Sequence, residues 1–153
     1  MTTQRLPLLV LPALALAAIA VPSLAAPKPK PVGYGYGQCT SKTKCAYQAF
    51  TNPSGKSLTF SASKQCQSAS TAIEQIGAMK VSGGKFSKTV TKQAQDPKTQ
   101  TFVSVKVQVK GTLKARKSVK GTLKLTTKAS DCTKTTGKTQ HFNMKYTGPI
   151  YGG

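Results

Sequence analysis

A period-two alternation of apolar and polar residues is the feature that most limits how this chain can fold. Between Val103 and Lys110, four valines alternate with serine, lysine and glutamine. Successive side chains of a strand point to opposite faces, so the pattern predicts a half-buried strand with one apolar and one basic face. The pattern returns over residues 119–126 and 141–146. Short strands at this spacing predict an all-β fold, either an antiparallel β-sandwich or a small open barrel.

The rest of the chain is less regular. Three further runs have strand character: residues 46–50, 58–63 and 85–90. Residues 71–81 are ambiguous, because Ile73, Ile76 and Met79 recur at helical rather than strand spacing. Residues 91–100 are polar and are predicted to form a loop.

A short internal repeat predicts a hairpin. The sequence VKGTLK at residues 109–114 recurs at residues 119–124. We interpret the two copies as the arms of one hairpin that turns near residues 115–118. In both arms the lysines alternate with the apolar residues, so the lysines of the two arms are predicted to share the outward face.

Two registers are open to this hairpin. If Leu113 lies opposite Gly121, lysines face lysines across the two strands, and each like-charge pair costs about 0.2–1 kcal/mol. If Leu113 lies opposite Val119, lysines face threonines instead. This second register also places Gly111 opposite Gly121, which leaves a gap in the apolar face. We favour the second register because it avoids the like-charge pairs.

The first 25 residues have the pattern of a secretory signal peptide. Arg5 supplies a positive charge, residues 6–21 are almost wholly apolar, and small residues at Ser23 and Ala25 suit cleavage after Ala25. The apolar run is shorter than the roughly 20 residues of a spanning helix, and no second apolar segment follows. We therefore expect a secreted or cell-envelope-associated protein with no transmembrane segment after signal cleavage.

The mature chain divides by composition. Residues 26–38 are rich in Pro, Gly and Tyr and are predicted to form a flexible arm. Residues 39–147 are predicted to form one β domain, and residues 148–153 a flexible tail. Apolar residues are scarce, with only 20 Leu, Ile, Val and Phe after Ala25, so the β domain needs help to remain folded.

Cysteines supply that help. An even number of cysteines in an exported chain predicts disulfides: Cys39, Cys45, Cys66 and Cys132. Four cysteines allow three pairings, and spacing does not choose among them. We favour Cys39–Cys45, which closes a small loop, with Cys66–Cys132, whose long loop is worth about 4 kcal/mol in the chain-entropy model. The spacing fits zinc poorly, so no metal and no cofactor is expected.

Catalytic side chains are few. The mature chain has three acidic residues, Glu74, Asp96 and Asp131, and one histidine, His141. We expect structural roles for the three acids, with Asp96 capping backbone in a turn, and a solvated outward position for His141. No catalytic constellation can be assembled, so a non-catalytic protein is expected. A small secreted hydrolase or inhibitor is the alternative.

Charge is the strongest functional signal. Lys and Arg number 23 against 3 Asp and Glu, a formal net charge of +20. The candidate polyanion-binding residues lie in one acid-free stretch: Lys106, Lys110, Lys114, Arg116, Lys117, Lys120, Lys124 and Lys128. Such a face attracts anionic cell-wall or other extracellular polymers, although a solvated face that keeps a small monomer soluble explains it equally well.

Specific nucleic-acid binding is not expected. Platforms for single strands place aromatic residues among the basic ones. Here Phe102, Phe142 and Tyr146 are predicted to be interior, while Tyr34 and Tyr36 belong to the arm.

The later half of the chain resembles a group of small secreted β-proteins of Gram-positive soil bacteria that have no assigned activity. The resemblance rests on residues 79–87, 109–113 and 119–124, with Cys132 and the closing strand at 142–146. It implies a β-sandwich-like domain, a bridge between Cys66 and Cys132, and an extended conformation for residues 71–81. It implies no activity.

Overall fold

The structure is a computed structural model that describes residues 28–41, 44–63 and 65–152. Its eight strands are β1 (Gly33–Cys39), β2 (Cys45–Thr51), β3 (Ser57–Ala62), β4 (Met79–Ser82), β5 (Lys85–Gln95), β6 (Phe102–Lys114), β7 (Ser118–Thr127) and β8 (Thr139–Ile150). One α-helix, α1 (Gln67–Glu74), precedes β4, and a 3-10 helix (Ser130–Cys132) precedes β8. Within the described ranges, neither helix is long and apolar enough to cross a membrane. The predicted signal peptide, residues 1–25, lies outside the described residues.

The eight strands form a closed antiparallel barrel. Each strand pairs with its neighbours in sequence, and β1 also pairs with β8, which closes the sheet. The predicted all-β, antiparallel and disulfide-stabilised fold is confirmed. The expected sandwich or open barrel is corrected to a closed barrel, because β1 provides the strand that joins β2 to β8.

The predicted flexible arm contains this closing strand. In β1 the side chains of Tyr34 and Tyr36 point inward, and Tyr36 is 2% exposed. Tyr36 packs edge-on against Tyr146 of β8, with ring centroids 5.8 Å apart. The arm prediction is therefore wrong from Gly33 onward, because burial of the tyrosines outweighs the low strand propensity of the glycines. The predicted tail is also shorter than expected, since β8 continues to Ile150.

The favoured hairpin register is confirmed. Leu113 lies opposite Val119 and Gly111 opposite Gly121 across β6 and β7. Lys110 faces Thr122 rather than another lysine. Avoidance of like-charge pairs therefore predicts the observed pairing.

The gap expected at the glycine pair is filled from the neighbouring strands. Phe86 of β5 lies beside Gly111, and Phe142 of β8 lies beside Gly121. Both phenylalanines are buried. A Cβ atom added to either glycine would lie 2.7 Å from the Cζ atom of the adjacent ring. The two rings thus occupy the space that glycine side chains leave, and the expected gap is absent.

The barrel interior is a packed apolar core. Valines and leucines from β6 and β7 are fully buried, among them Val107 and Leu123. Three aromatic rings pack together beside them, with centroids 5.0–6.1 Å apart: Tyr47, Phe60 and Phe142. The lysines between these apolar residues on β6 and β7 point to the outer surface, whereas Lys88 and Lys92 of β5 are half-buried on the core side of their strand.

The ambiguous segment 71–81 contains both kinds of structure. The helical spacing predicts its first part correctly, since α1 runs to Glu74 with Ile73 buried. The extended conformation implied by the resemblance holds only from Met79, where β4 begins. Lys88 of β5 stabilises the connection by donating hydrogen bonds to the carbonyls of Ile76 (2.6 Å) and Ala78 (3.0 Å).

Two other predictions need correction around β5 and β6. The predicted loop 91–100 begins only after Gln95, because β5 continues with alternate residues such as Ala94 facing the core. Phe102, predicted to be interior, is 74% exposed at the start of β6, on the outward side of the strand.

Both favoured disulfides are present, Cys39–Cys45 and Cys66–Cys132. The first joins the adjacent ends of β1 and β2. The second ties α1 to the 3-10 helix, and α1 packs against β3, β5 and β6. We call α1, the 3-10 helix and their bridge the helical cap.

Candidate polyanion-binding face

The outward side of β5 to β8 forms a lysine-rich surface, which we call the basic face. Five of its lysines come from the predicted hairpin, and all five are exposed: Lys106, Lys110 and Lys114 on β6, and Lys120 and Lys124 on β7. Lys85 of β5 and Lys145 of β8 extend the same surface. The alternation of the strands directs these side chains outward while the valines and leucines between them form the core.

Across neighbouring strands, the lysines of the basic face alternate with neutral polar residues. Lys110 lies between Ser87 of β5 and Thr122 of β7. Lys120 belongs to the next row of outward side chains, where it lies between Thr112 of β6 and Asn143 of β8. Each of these lysines therefore has neutral hydrogen-bonding neighbours, which separate the positive charges from one another.

A trough crosses the basic face over the glycine pair. It has a volume of about 910 Å³ and takes residues from five consecutive strands, β4 to β8. Its floor includes Gly111 and Gly121, where the strands approach closely: a Cβ atom on Gly121 would lie 2.8 Å from the Cα atom of Gly111. Lysines and hydroxyl side chains line its sides, with His141 at the β8 end.

Sequence reasoning predicted part of this surface and missed part. Lys80 and Lys85 line the trough but lie far from the hairpin in sequence. The signal that could have found Lys85 is its place in the predicted strand 85–90, on the side opposite the buried Phe86. The pairing of that strand with β6 only became known from the fold.

Arg116 does not join the lysines of the basic face. It lies in the turn between β6 and β7, and its guanidinium donates to the Tyr34 hydroxyl at 2.7 Å and stacks 4.9 Å from the ring centroid. Its backbone N–H donates to the Tyr36 hydroxyl at 3.1 Å. Arg116 therefore holds the turn against β1. Of the other predicted residues outside the strands, Lys117 is exposed in the turn and Lys128 is exposed after β7.

The acidic residues are segregated from the basic face. Glu74 lies in α1, Asp131 in the 3-10 helix, and Asp96 directly after β5 beside Ser130. His141 lies near the start of β8 on the outward side, opposite Thr122. The fold therefore separates the one histidine from the three acids and leaves the basic face without an acidic side chain.

Asp96 is a structural acceptor. It is 2% exposed and accepts hydrogen bonds from the Ser130 N–H (2.6 Å), the Ser130 hydroxyl (2.7 Å), the Lys98 N–H (2.9 Å) and the Thr99 N–H (3.3 Å). The bonds from Ser130 do most to lower the pKa of Asp96, to about 2. The carboxylate thus ties the loop after β5 to the 3-10 helix, and the predicted capping of backbone by Asp96 is confirmed.

Asp131 has a matching role at α1. Its carboxylate accepts hydrogen bonds from the N–H (3.0 Å) and the hydroxyl (2.9 Å) of Ser68, in the first turn of the helix. A negative charge there complements the helix dipole. Cys66 and Cys132 lie close to Asp131, but their sulfurs are joined in the disulfide and are not available as metal ligands.

The hydrogen bonds of Asp96 predict acid sensitivity. The pKa of Asp96 is lower in the folded chain than in the unfolded chain, so its contribution is complete above about pH 4 and is lost as the pH falls towards 2. We expect the melting temperature to fall across this interval. In Asp96→Asn the part of the fall that Asp96 causes should vanish, and Ser130→Ala should move it to higher pH because one donor is lost. Equal pH profiles for all three proteins, measured by circular dichroism, would contradict this assignment.

Comparison with known proteins gives no match to a protein-family model, to a curated protein or to a solved structure. The resemblance to secreted β-proteins of Gram-positive soil bacteria stays a prediction.

Proposed function

We propose that this protein is an exported, non-catalytic binding protein whose basic face holds anionic cell-wall or other extracellular polymers. One observation carries the proposal. The lysines on the outward side of β5 to β8 are exposed and alternate with neutral side chains, while the acidic side chains lie elsewhere. A face of one charge raises the local concentration of polyanions and recruits them from a distance.

Export is supported by two features. Residues 1–25 have the pattern of a signal peptide. The cysteines of the described chain are paired in two disulfides, a state typical of oxidising compartments. Outside the cell, or within the envelope, the protein would meet polymers of phosphate, sulfate or carboxylate groups.

The proposed binding works through many weak contacts. A lysine is a point charge with three donors and does not impose the planar two-point geometry of arginine. Each ammonium that neutralises an anionic group releases a condensed counterion, so affinity falls steeply as salt is added. Such a face would favour high charge density and would tolerate variation in the backbone of the polymer.

A salt titration tests this proposal. Binding of an immobilised anionic wall polymer should weaken with salt, with a slope of about −3 or steeper in a plot of log K against log salt concentration, as expected for four or more contacts at 0.7–0.9 each. A variant without four lysines of the basic face should lose most of that slope: K106Q, K110Q, K120Q and K124Q. The matched control removes four exposed lysines from connecting segments elsewhere: K56Q, K98Q, K134Q and K138Q.

The control separates the local face from net charge. Both variants lose four positive charges, so equal weakening would mean that only net charge matters and would contradict a binding face. A wild-type affinity that does not change between low and high salt would contradict electrostatic binding altogether.

A further inference from the structure

The trough over the glycine pair crosses the strands instead of following them. It receives side chains from β4, β5, β6, β7 and β8 in turn. Neighbouring strands lie about 4.8 Å apart, so five strands give it a length of about 19 Å. The trough is open to solvent along this length, so a polymer chain can lie across the strands without entering a closed channel.

Charged and hydroxyl side chains alternate along both sides of the trough. On one side Lys85, Thr112 and Lys120 lie opposite one another on β5, β6 and β7. On the other side the order is reversed, with Ser87, Lys110 and Thr122 on the same strands. On the first side lysine therefore recurs at every second strand, roughly 10 Å apart, with a hydroxyl group between.

We propose that the trough binds a single chain of a linear anionic glycopolymer in which charged groups alternate with hydroxyl-bearing units. This inference rests on the proposed function and adds the place, the direction and the chemistry of binding. The lysine ammonium groups would face the anionic groups of the polymer. The Thr112 and Thr122 hydroxyls, which both donate and accept hydrogen bonds, would face its polyol units.

Poly(glycerol phosphate) is the probe for this inference, because its phosphodiesters alternate with hydroxylated carbons. Two triple variants remove equal charge from the basic face. K85Q, K110Q and K120Q lie in the trough, whereas K106Q, K114Q and K124Q lie outside it. We expect the trough variant to bind the probe at least tenfold more weakly than the control variant, as measured by isothermal titration calorimetry.

Removal of the hydroxyls tests the chemistry separately from the charge. The double substitution Thr112→Val and Thr122→Val keeps the charge and the strand preference of both positions. It should weaken binding of poly(glycerol phosphate) about threefold or more and leave binding of inorganic polyphosphate, which has no polyol units, unchanged.

The outcomes distinguish this inference from the proposed function. If both triple variants lose the same affinity, the polymer binds diffusely over the basic face. That result would contradict binding in the trough but would agree with the proposed function. If the valine variant weakens both probes equally or neither, the alternation with polyol units is wrong. If the wild-type protein binds neither probe nor an anionic wall polymer at low salt, the proposed function fails as well.

Discussion

Gly121→Ala is expected to lower the free energy of unfolding by about 3 kcal/mol and the melting temperature by roughly 10 °C. The new Cβ atom would overlap the carbonyl oxygen of Lys110 and would lie 2.7 Å from Cζ of Phe142 and 2.8 Å from Cα of Gly111. Two of these three obstacles are backbone atoms, which cannot move without distorting the pairing of β6 with β7. Gly111→Ala should have a similar effect, because its Cβ atom would meet the Lys120 carbonyl and the Phe86 ring.

The sign of this effect is the decisive measurement. At an ordinary position, alanine in place of glycine stabilises a protein by about 0.4–1 kcal/mol through the unfolded chain. Gly152→Ala provides the control, since Gly152 is exposed beyond β8 and its Cβ atom would meet only Val32, at 3.3 Å. Chemical denaturation that finds Gly121→Ala as stable as the wild type would contradict the close approach of the two glycines.

Removal of the Cys66–Cys132 bridge by a double alanine substitution is expected to cost about 4 kcal/mol. The bridge joins residues 66 positions apart, and the chain-entropy model gives about that value for such a loop. Most small domains have only 5–15 kcal/mol in total, so this variant should be close to unfolding at 37 °C. Hydrogen exchange should also reveal early opening of α1, since the helical cap then loses its covalent link and is held by side-chain packing and by hydrogen bonds such as those of Asp96 and Asp131.

The second disulfide provides the matched control. Cys39 and Cys45 are six positions apart, and the same model gives about 2 kcal/mol for that loop. The double alanine variant at Cys39 and Cys45 should therefore melt at a higher temperature than the one at Cys66 and Cys132. The reverse order would contradict the view that the long bridge holds the barrel and the helical cap together.

The strands with strict alternation could be predicted from the sequence, and the physical reason is local. In β6 and β7 successive side chains point to opposite sides of the sheet. The alternation of apolar and polar residues therefore predicts which residues face the core and which face solvent. The hairpin register followed from the same segments, because lysine repulsion acts between residues close in sequence. The side on which Lys110 and Lys120 point was thereby predicted before the barrel was known.

β1 could not be predicted in the same way. Its glycines have low strand propensity, and the benefit of burying Tyr36 depends on Tyr146, more than 100 residues later. Phe102 was predicted wrongly for the opposite reason: its hydrophobicity predicts burial, but it lies at the start of β6, on the outward side and away from the core. In both cases the burial of the side chain depended on whether the fold places a residue distant in sequence against it.

The sequence by itself determined the strand character, the outward direction of the hairpin lysines and the cysteines available for cross-linking, since these depend on side-chain chemistry and the geometry of one extended chain. Only the tertiary structure decided that the sheet closes through β1, that Phe86 and Phe142 fill the space above the glycine pair, and that Lys85 joins the hairpin lysines along one trough. Closure and the trough both arise from pairing between distant strands, and that pairing depends on how the whole core packs.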